Sequence, residues 1–312
     1  MSTRDRDKQT DRVWFVTGAS SGFGSAIGQA VLDRGHRLIA ATRRPEAVQE
    51  LVRQHPDLAL PIALDVTDAA ASRAALSRAV ERFGRVDVVV NNAGYGHVGA
   101  VEELSDAELR EQLDVNLFGV INVTRAALPH LRRQRSGHFV QMSSLNGVEG
   151  LAGGGYYAAS KFAIEGLSES LADEVASLGI RVTIVEPGPH RTRFASERSA
   201  PRARPIPDYA DSVGKTREIL SELDGNQPGD PARAAAAILG AVESDDPPLR
   251  LALGQMALAN IRARLDARLR ELEAWAQVSA GSDFPSDDDQ CSGGAGAARA
   301  LDSSASPTAP RP

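Results

Sequence analysis

Cysteine is almost absent from this chain of 312 residues, which contains only Cys291. A single cysteine excludes an intramolecular disulfide framework and favours a reducing compartment, so we predict a cytoplasmic protein. No apolar run approaches the roughly 18 to 20 residues that span a bilayer. The N-terminal residues are polar and lack the apolar core of a secretory signal. The sequence therefore predicts no membrane segment.

Basic residues are not in excess either, because 35 Lys and Arg stand against 41 Asp and Glu, for a net charge of −6. Nucleic-acid-binding domains usually show a basic excess, so no nucleic-acid partner is expected. The chain has few lysines, namely Lys8, Lys161 and Lys215, and only four tyrosines. A motif that contains both residue types is therefore informative. No metal site is predicted.

The composition changes at both ends of the chain. Residues 1–11 are polar and are predicted to form a flexible arm. Residues 281–312 are rich in Gly, Ser, Pro and Asp and are predicted to form a disordered tail, because they cannot bury enough apolar surface to offset their ordering entropy. Residues 12–280 are left as a single folded domain.

Within that domain, short apolar runs alternate with helical patterns. Runs that are apolar on both faces indicate a parallel sheet covered by helices on both sides, which is an α/β fold. The predicted strands are residues 13–17, 37–42, 59–64, 86–91, 138–143, 181–186 and 249–253. The pattern weakens over residues 187–230, which is long for a passive connection, so we predict a substrate-covering segment there.

A glycine-rich turn joins the first predicted strand to the first helix. It runs from Thr17 to Gly24 with the sequence TGASSGFG. Glycines at such a turn let the backbone approach a pyrophosphate, and the helix N-terminus offers free N–H groups and a positive dipole. The spacing differs from the commoner G-x-G-x-x-G, and a merely tight turn is the alternative interpretation.

Polar residues follow two other strands at their carboxyl ends, where ligands of open α/β sheets bind. The sequence NNAG, from Asn91 to Gly94, ends the fourth strand, and its small residues suit an adjacent adenine-ribose. Ser143 and Ser144 end the fifth strand. A hydroxyl there can donate to a substrate carbonyl, although a strand-end turn stabilised by the serine is the alternative.

Tyr157 and Lys161 form the most specific motif. Residues four apart share one helix face, so the phenol and the ammonium are predicted to be neighbours. A nearby lysine is expected to lower the phenol pKa and make Tyr157 usable as a general acid and base. Tyr156 is not an alternative, because Ser160 lies four residues after it.

Together these motifs resemble the short-chain dehydrogenase/reductase family over about residues 12–255. The resemblance rests on TGASSGFG, NNAG, a serine thirteen residues before YxxxK, and PG followed by threonine. It implies a single Rossmann-type, doubly wound parallel sheet of about seven strands with helices on both faces. It also implies a homodimer or homotetramer, and a subgroup similar to hydroxysteroid and retinol dehydrogenases.

The resemblance implies residue roles as well. Ser144 would orient the carbonyl, Tyr157 would act as general acid/base, Lys161 would bind the nicotinamide ribose, and Asn116 would hold a water linked to the lysine. The residues implied in binding the cofactor are Gly18, Ser20, Ser21, Gly22, Phe23, Gly24, Arg43, Asp65, Val66, Asn92, Ala93, Gly94, Tyr157, Lys161, Pro187, Gly188 and Thr192.

The end of the second strand predicts which cofactor is used. NAD-selective sites place a carboxylate there, on the ribose 2′-hydroxyl. This chain has Thr42, followed by Arg43 and Arg44. A guanidinium can bind a 2′-phosphate, so NADP(H) is predicted to be preferred over NAD(H), with Arg43 as the main contact. A solvated helix start is the alternative explanation of the two arginines.

The predicted function is an NADP(H)-dependent oxidoreductase that interconverts a carbonyl and a secondary alcohol on a small to medium, hydrophobic substrate. A catalytically idle nucleotide-sensing protein on the same fold is the main alternative. A sugar-nucleotide epimerase or dehydratase would need a longer C-terminal substrate domain. His97 and His190 lie in segments predicted to line the pocket, although each is more simply a surface or loop histidine.

Overall fold

The computed structural model describes residues 11–196 and 199–284. Most of the predicted arm and of the predicted tail therefore lie outside the described residues. The chain forms two compact units, one that ends at Arg264 and another that begins at Leu265. The sheet and the site belong to the first unit.

Seven parallel strands form one sheet in the order β3-β2-β1-β4-β5-β6-β7. The order reverses between β1 and β4, which defines a doubly wound sheet with its switch point at those two strands. The strands are β1 (Val13–Thr17), β2 (Arg37–Thr42), β3 (Ala59–Ala63), β4 (Val88–Asn91), β5 (Gly137–Met142), β6 (Ile180–Pro187) and β7 (Arg250–Leu253). This confirms the α/β fold and the number of strands expected from the resemblance.

The described part of the chain contains ten α-helices. They are α1 (Gly22–Asp33), α2 (Gln49–Gln54), α3 (Ala69–Phe83), α4 (Asp106–Leu113), α5 (Gly119–Gln134), α6 (Gly155–Ala176), α7 (Lys215–Leu223), α8 (Pro231–Glu243), α9 (Gln255–Ala274) and α10 (Ala276–Ala280). Helix α9 begins in the first unit, and the second unit contains its end and α10.

The two faces of the sheet bury separate apolar clusters. Phe15, Ile39 and Phe139 point to one face and pack with residues of α3, α5 and α6. Trp14 and Leu38 point to the other face and pack with residues of α1 and α8. Alternate residues of each strand therefore enter different cores, which explains why the strands are apolar throughout their length.

Two helix starts follow from their sequence. Asp68 accepts hydrogen bonds from the backbone N–H groups of Ala70 and Ala71 at the start of α3. Asp230 caps α8 in the same way, with Pro231 as the first helical residue. An aspartate cap satisfies N–H groups that the helix itself leaves free.

Residues 106–133 have a continuous helical pattern in the sequence, and the structure interrupts it. A π-helical segment, Asp114–Phe118, separates α4 from α5. Such bulges insert one extra residue into a helical turn, and they are frequent at functional sites. The described part of residues 187–230, where the sequence pattern weakens, contains α7 and several short helical turns.

Candidate active site

The glycine-rich turn forms a cradle between β1 and α1. Gly18 and Gly22 have φ of 65° and 54°, a region that favours glycine. A Cβ at Gly24 would lie 2.3 Å from the carbonyl oxygen of Gly18. Ser21 precedes α1 without capping it through its side chain. The N–H groups at the start of α1 are thus available to an anion, which fits the pyrophosphate of a dinucleotide.

The NNAG segment is fastened to this cradle. Thr17 Oγ1 accepts hydrogen bonds from the N–H groups of Asn92 and Ala93, at 2.9 and 3.1 Å. Asn92 Nδ2 donates to the carbonyl of Thr17 at 2.9 Å. These bonds tie β1 to β4 at the switch point, where the sheet opens to a ligand.

A cavity of about 1010 Å³ lies along this edge of the sheet. It brings together most of the predicted site residues. Those that line it are Gly18, Ser20, Ser21, Gly22, Phe23, Arg43, Asp65, Val66, Asn92, Ala93, Gly94, Ser144, Tyr157, Lys161, Pro187, Gly188 and Thr192. Two predicted residues, Gly24 and Asn116, do not line the cavity.

Asn116 is buried in the π-helical segment and fixes the loop after NNAG. Its Nδ2 donates to the carbonyl of Tyr95 at 2.7 Å, and its Oδ1 accepts from the Tyr95 N–H at 3.0 Å. Nδ2 also lies 3.1 Å from Ser160 Oγ, whose hydroxyl donates to the carbonyl of Tyr157. The asparagine therefore links the cavity loop to the helix that carries the tyrosine.

Tyr157 lies in the first turn of α6 and packs against Phe194, with 5.1 Å between the ring centroids. Burial raises the pKa of Tyr157 to about 12, and a hydrogen bond to Ser144 opposes the rise. We expected the lysine to lower this pKa, but in this structure the effect of burial prevails. Tyr157 is thus a protonated phenol at neutral pH.

Lys161 is buried and its Nζ donates to the carbonyl of Met142 at 2.7 Å. The ammonium lies 5.6 Å from the centre of the Tyr157 ring. Burial lowers the pKa of Lys161 to about 8, and the nearby charge of Glu165 opposes the fall. The predicted pairing of tyrosine and lysine on one helix face is present.

Arg43 and Arg44 line the cavity at the end of β2, while Thr42 itself is buried. Asp65 lies in the same part of the cavity, and hydrogen bonds from Thr67 lower its pKa, with a further contribution from Arg43. The side chain of Asn122 holds the backbone of Val66 and Thr67. Two exposed guanidinium groups thus face the space beyond the glycine cradle.

Part of the cavity wall is apolar. It includes Leu151, Phe194, Ile219 and Met256, each at least one-third exposed. Sequence reasoning did not identify these residues individually, although residues 187–230 supply two of them. For Phe194 and Ile219 the signal is a large apolar side chain in the segment predicted to cover the substrate. Leu151 and Met256 lie outside that segment and carry no such signal.

The two histidines singled out by sequence have different environments. His190 lines the cavity, and its Nδ1 lies 3.0 Å from the carbonyl oxygen of Gly188. His97 does not line it; it is buried, and Gln112 Oε1 accepts a hydrogen bond from its backbone N–H. In the part of the chain that the structure describes, neither histidine is hydrogen-bonded to Tyr157 or Lys161, as a proton relay would require.

Two negative findings concern the described residues. They contain no group of three His, Cys, Asp or Glu side chains placed to hold a metal ion. No helix among them is both long and apolar enough to cross a membrane.

A doubly wound parallel sheet with a glycine cradle at its switch point, and a tyrosine–lysine pair in the same cavity, defines an NAD(P)-binding oxidoreductase fold. The sequence matches the short chain dehydrogenase family over residues 12–203. The chain therefore belongs to the short-chain dehydrogenase/reductase family, as the motifs predicted.

Two curated relatives support the assignment. The chain is 39% identical to oxidoreductase BOA17 of Botryotinia fuckeliana over 272 residues, which cover 87% of this chain and 99% of the relative. It is 36% identical to a 3-ketodihydrosphingosine reductase of Bacteroides thetaiotaomicron over 246 residues, which cover 78% and 88%. Both relatives are oxidoreductases by name.

Three crystal structures are similar as well. A short-chain dehydrogenase from Streptomyces avermitilis has a TM-score of 0.83 and 47% identity, covering 88% of this chain and all of that one. A Burkholderia phymatum enzyme in complex with NAD has a TM-score of 0.74 and 25% identity, covering 84% and 96%. A Thermococcus sibiricus alcohol dehydrogenase complexed with 5-hydroxy-NADP has a TM-score of 0.65 and 28% identity, covering 78% and 96%.

Proposed function

We propose that the protein is an NADP(H)-dependent carbonyl reductase, reversible as an alcohol dehydrogenase, with Tyr157 as its general acid/base. The observation that carries this proposal is the meeting of Ser144, Tyr157 and Lys161 in one cavity with the glycine cradle. A nucleotide site alone would not need a proton donor, a hydroxyl and an ammonium at its far end.

Each of the three side chains has a distinct task. A bound nicotinamide supplies the hydride, while the protein orients the reactants and transfers one proton. Ser144 donates to the carbonyl oxygen of the substrate and holds it beside the phenol. Tyr157, protonated at neutral pH, gives its proton to that oxygen during reduction and takes it back during oxidation. Lys161 binds the ribose hydroxyls and stabilises the phenolate that proton transfer leaves behind.

The preference for NADP(H) rests on the end of β2. Thr42 is uncharged, and Arg43 and Arg44 line the cavity beyond it. A phosphate on the adenosine ribose would find guanidinium groups there instead of the carboxylate that selects NAD. Because the two solved relatives with bound cofactors hold NAD in one case and a modified NADP in the other, family membership alone does not choose between them.

The apolar wall favours a hydrophobic substrate of small to medium size. Leu151, Ile219 and Met256 present aliphatic surface to the cavity that contains Tyr157. The Bacteroides relative is named a 3-ketodihydrosphingosine reductase, and reduction of a ketone beside apolar surface agrees with such a wall. Residues 187–230 act as the substrate-covering segment in this proposal, because α7 contributes Ile219 to the wall.

Two further features belong to the same proposal. The scarcity of cysteine favours a cytoplasmic protein. The family resemblance favours a homodimer or homotetramer.

The experiment that tests the function is a screen of ketones, aldehydes and secondary alcohols of increasing chain length. Turnover is monitored through the absorbance of NADPH. Turnover that rises with the apolar size of the substrate and disappears in Tyr157→Phe is the expected result. A protein that binds NADPH tightly but turns over none of these compounds would instead be the nucleotide-sensing alternative.

A further inference from the structure

Two carboxyl groups are buried close to the catalytic lysine, and the mechanism above uses neither. Glu165 follows Lys161 by one helical turn on α6, and Glu186 lies on β6 immediately before Pro187. Their side chains are almost completely buried, since the two residues are only 7% and 3% exposed. Buried carboxylates are costly unless they are paired, so their retention here requires a reason.

One guanidinium serves this pair. Arg250 Nε lies 3.1 Å from Glu165 Oε2 and 3.8 Å from Glu186 Oε1. Its Nη2 lies 3.0 Å from the exposed Glu169 Oε2. A single cation therefore faces three carboxyl groups, which leaves the cluster with more negative than positive charge if all three ionise.

Three polar atoms of the cluster are fully buried, namely Ser143 Oγ, Glu165 Oε1 and Glu186 Oε1. A Cβ at Gly147 would lie 2.3 Å from Ser143 Oγ and 3.0 Å from Glu165 Oε1, so these two atoms face the same point. This oxygen of Glu165 thus adjoins Ser143, next to the catalytic Ser144, while the other oxygen of the carboxylate faces Arg250.

The negative charge of Glu165 also opposes the effect of burial on the pKa of Lys161. The hydrogen bond of Lys161 Nζ to the Met142 carbonyl is to a neutral acceptor. Burial lowers the pKa of Lys161 and the charge of Glu165 raises it. Burial raises the pKa of Glu165, and a hydrogen bond with Ser143 and the charge of Arg250 oppose that rise. Burial and the charge of Glu165 raise the pKa of Glu186 to about 7.

We propose that Glu165 is a positioning residue that keeps Lys161 in its ammonium form, and that Arg250 holds Glu165 ionised for this task. The charged groups that face Glu165 are Lys161 and Glu169 from its own helix, Glu186 from β6 and Arg250 from β7. The proposal rests on the proposed function only for the catalytic role of Lys161, because the charge of the lysine is measurable in the protein without substrate.

The scarcity of lysine makes the test direct. The chain has three lysines, so labelling lysine Cε with carbon-13 gives three side-chain signals in an NMR spectrum. The signal absent from Lys161→Met identifies Lys161. Its titration midpoint is then compared between the wild type, Glu165→Gln and Glu169→Gln from about pH 6 to about pH 11.

We expect Glu165→Gln to lower the Lys161 midpoint by about one pH unit, since an opposite charge one helical turn away has been removed. Glu169→Gln also removes a carboxylate from Arg250, but it is exposed, and it should leave the midpoint unchanged. If Glu165→Gln does not fold, Glu165→Met supplies the same loss of charge with an apolar side chain of similar length. An unchanged midpoint in the folded neutral variant would overturn the proposal.

A second measurement separates this proposal from the proposed function. The dissociation constant of NADPH is measured against pH by fluorescence, with no substrate present. Glu165→Gln should move the alkaline weakening of NADPH binding to lower pH by the same amount. Uniformly weaker binding at every pH, without that movement, would show a merely structural role for Glu165 and contradict the proposal, whether or not any carbonyl is reduced.

Discussion

Lys161 Nζ lies 5.6 Å from the centre of the Tyr157 ring, one helical turn along α6. The ammonium donates to the Met142 carbonyl at the end of β5, so a strand end and a helix together fix the distance between the two side chains. The lysine is near the ring while its own hydrogen bond goes to Met142, so the ammonium does not occupy the place beside the Tyr157 and Ser144 hydroxyls where a substrate oxygen would bind.

Replacing Tyr157 with Phe should abolish turnover and leave NADPH affinity nearly unchanged. The ring keeps its packing against Phe194 while the proton is lost. A positioned acid/base contributes about 10²- to 10⁴-fold in rate. Initial rates and an NADPH binding isotherm measure the two effects. Tyr156→Phe is the matched control, since the Tyr156 hydroxyl donates to the Val101 carbonyl. More than about a tenth of wild-type activity in Tyr157→Phe would refute the assignment.

Replacing Lys161 with Ala should reduce both the rate and the affinity for the cofactor. The proposal gives this residue two tasks, ribose binding and stabilisation of the phenolate, so the effects should appear together. A lost charge-assisted hydrogen bond costs about 1.5–3 kcal/mol, or about ten- to a hundredfold in the dissociation constant. Lys215→Ala, at an exposed position, serves as the control. An unchanged NADPH affinity in Lys161→Ala would contradict the ribose role.

The sequence predicted the sheet well because its strands carry a strong signal. Strands such as Val13–Thr17 are buried on both faces, so their apolar runs end where the strands end. The motif residues were found because glycine cradles and YxxxK pairs depend on local spacing. The chain order of these local motifs also identified the family correctly.

Other features depend on tertiary packing, which local patterns do not encode. The π-helical segment at Asn116 interrupts a continuous helical pattern, and nothing in its composition marks the interruption. The raised pKa of Tyr157 follows from burial by residues distant in sequence. Glu165 and Glu186 are charged residues that would be expected at a surface, yet the fold buries both beside Arg250.

The glycine cradle should not tolerate a methyl group at Gly24. A Cβ there would meet the backbone oxygen of Gly18 at 2.3 Å, so the turn must move. Gly24→Ala should lose at least about tenfold in NADPH affinity and about 1–3 kcal/mol in stability. Gly166→Ala is the control, because a Cβ within α6 at Gly166 meets nothing within 4 Å. That control should stabilise the helix by about 0.5–1 kcal/mol. Binding isotherms and urea unfolding measure both variants. If Gly24→Ala kept the NADPH affinity and the stability of the wild type, the role of this turn in binding the cofactor would be contradicted.

Burial of Lys161 should lower the free energy of unfolding of the protein at neutral pH. Burial lowers the pKa of Lys161 from 10.5 to about 8, so the folded state releases the proton more easily than the unfolded state. The penalty is fully present below about pH 8 and disappears as the pH rises to about 10.5. Lys161→Met should therefore be more stable than the wild type at pH 7, by about 1–2 kcal/mol after loss of the Met142 hydrogen bond. Urea unfolding at several pH values should show this advantage shrinking above pH 8, and an advantage independent of pH would exclude the explanation.

Arg43 should bind the ribose 2′-phosphate that distinguishes NADP(H) from NAD(H), and so determine the cofactor preference. It lines the cavity at the end of β2, beside the buried and uncharged Thr42. A charged hydrogen bond is worth about 1.5–3 kcal/mol, so Arg43→Ala should reduce kcat/KM with NADPH by about ten- to a hundredfold and hardly change it with NADH. Arg53→Ala, on the exposed side of α2, removes a guanidinium outside the cavity and controls for net charge. The measurement is kcat/KM with each cofactor at two salt concentrations, because a surface effect would be screened. Equal losses with both cofactors, or a wild-type protein that prefers NADH, would refute the assignment of Arg43, since only the phosphate of NADP(H) gives this side chain an anion to bind.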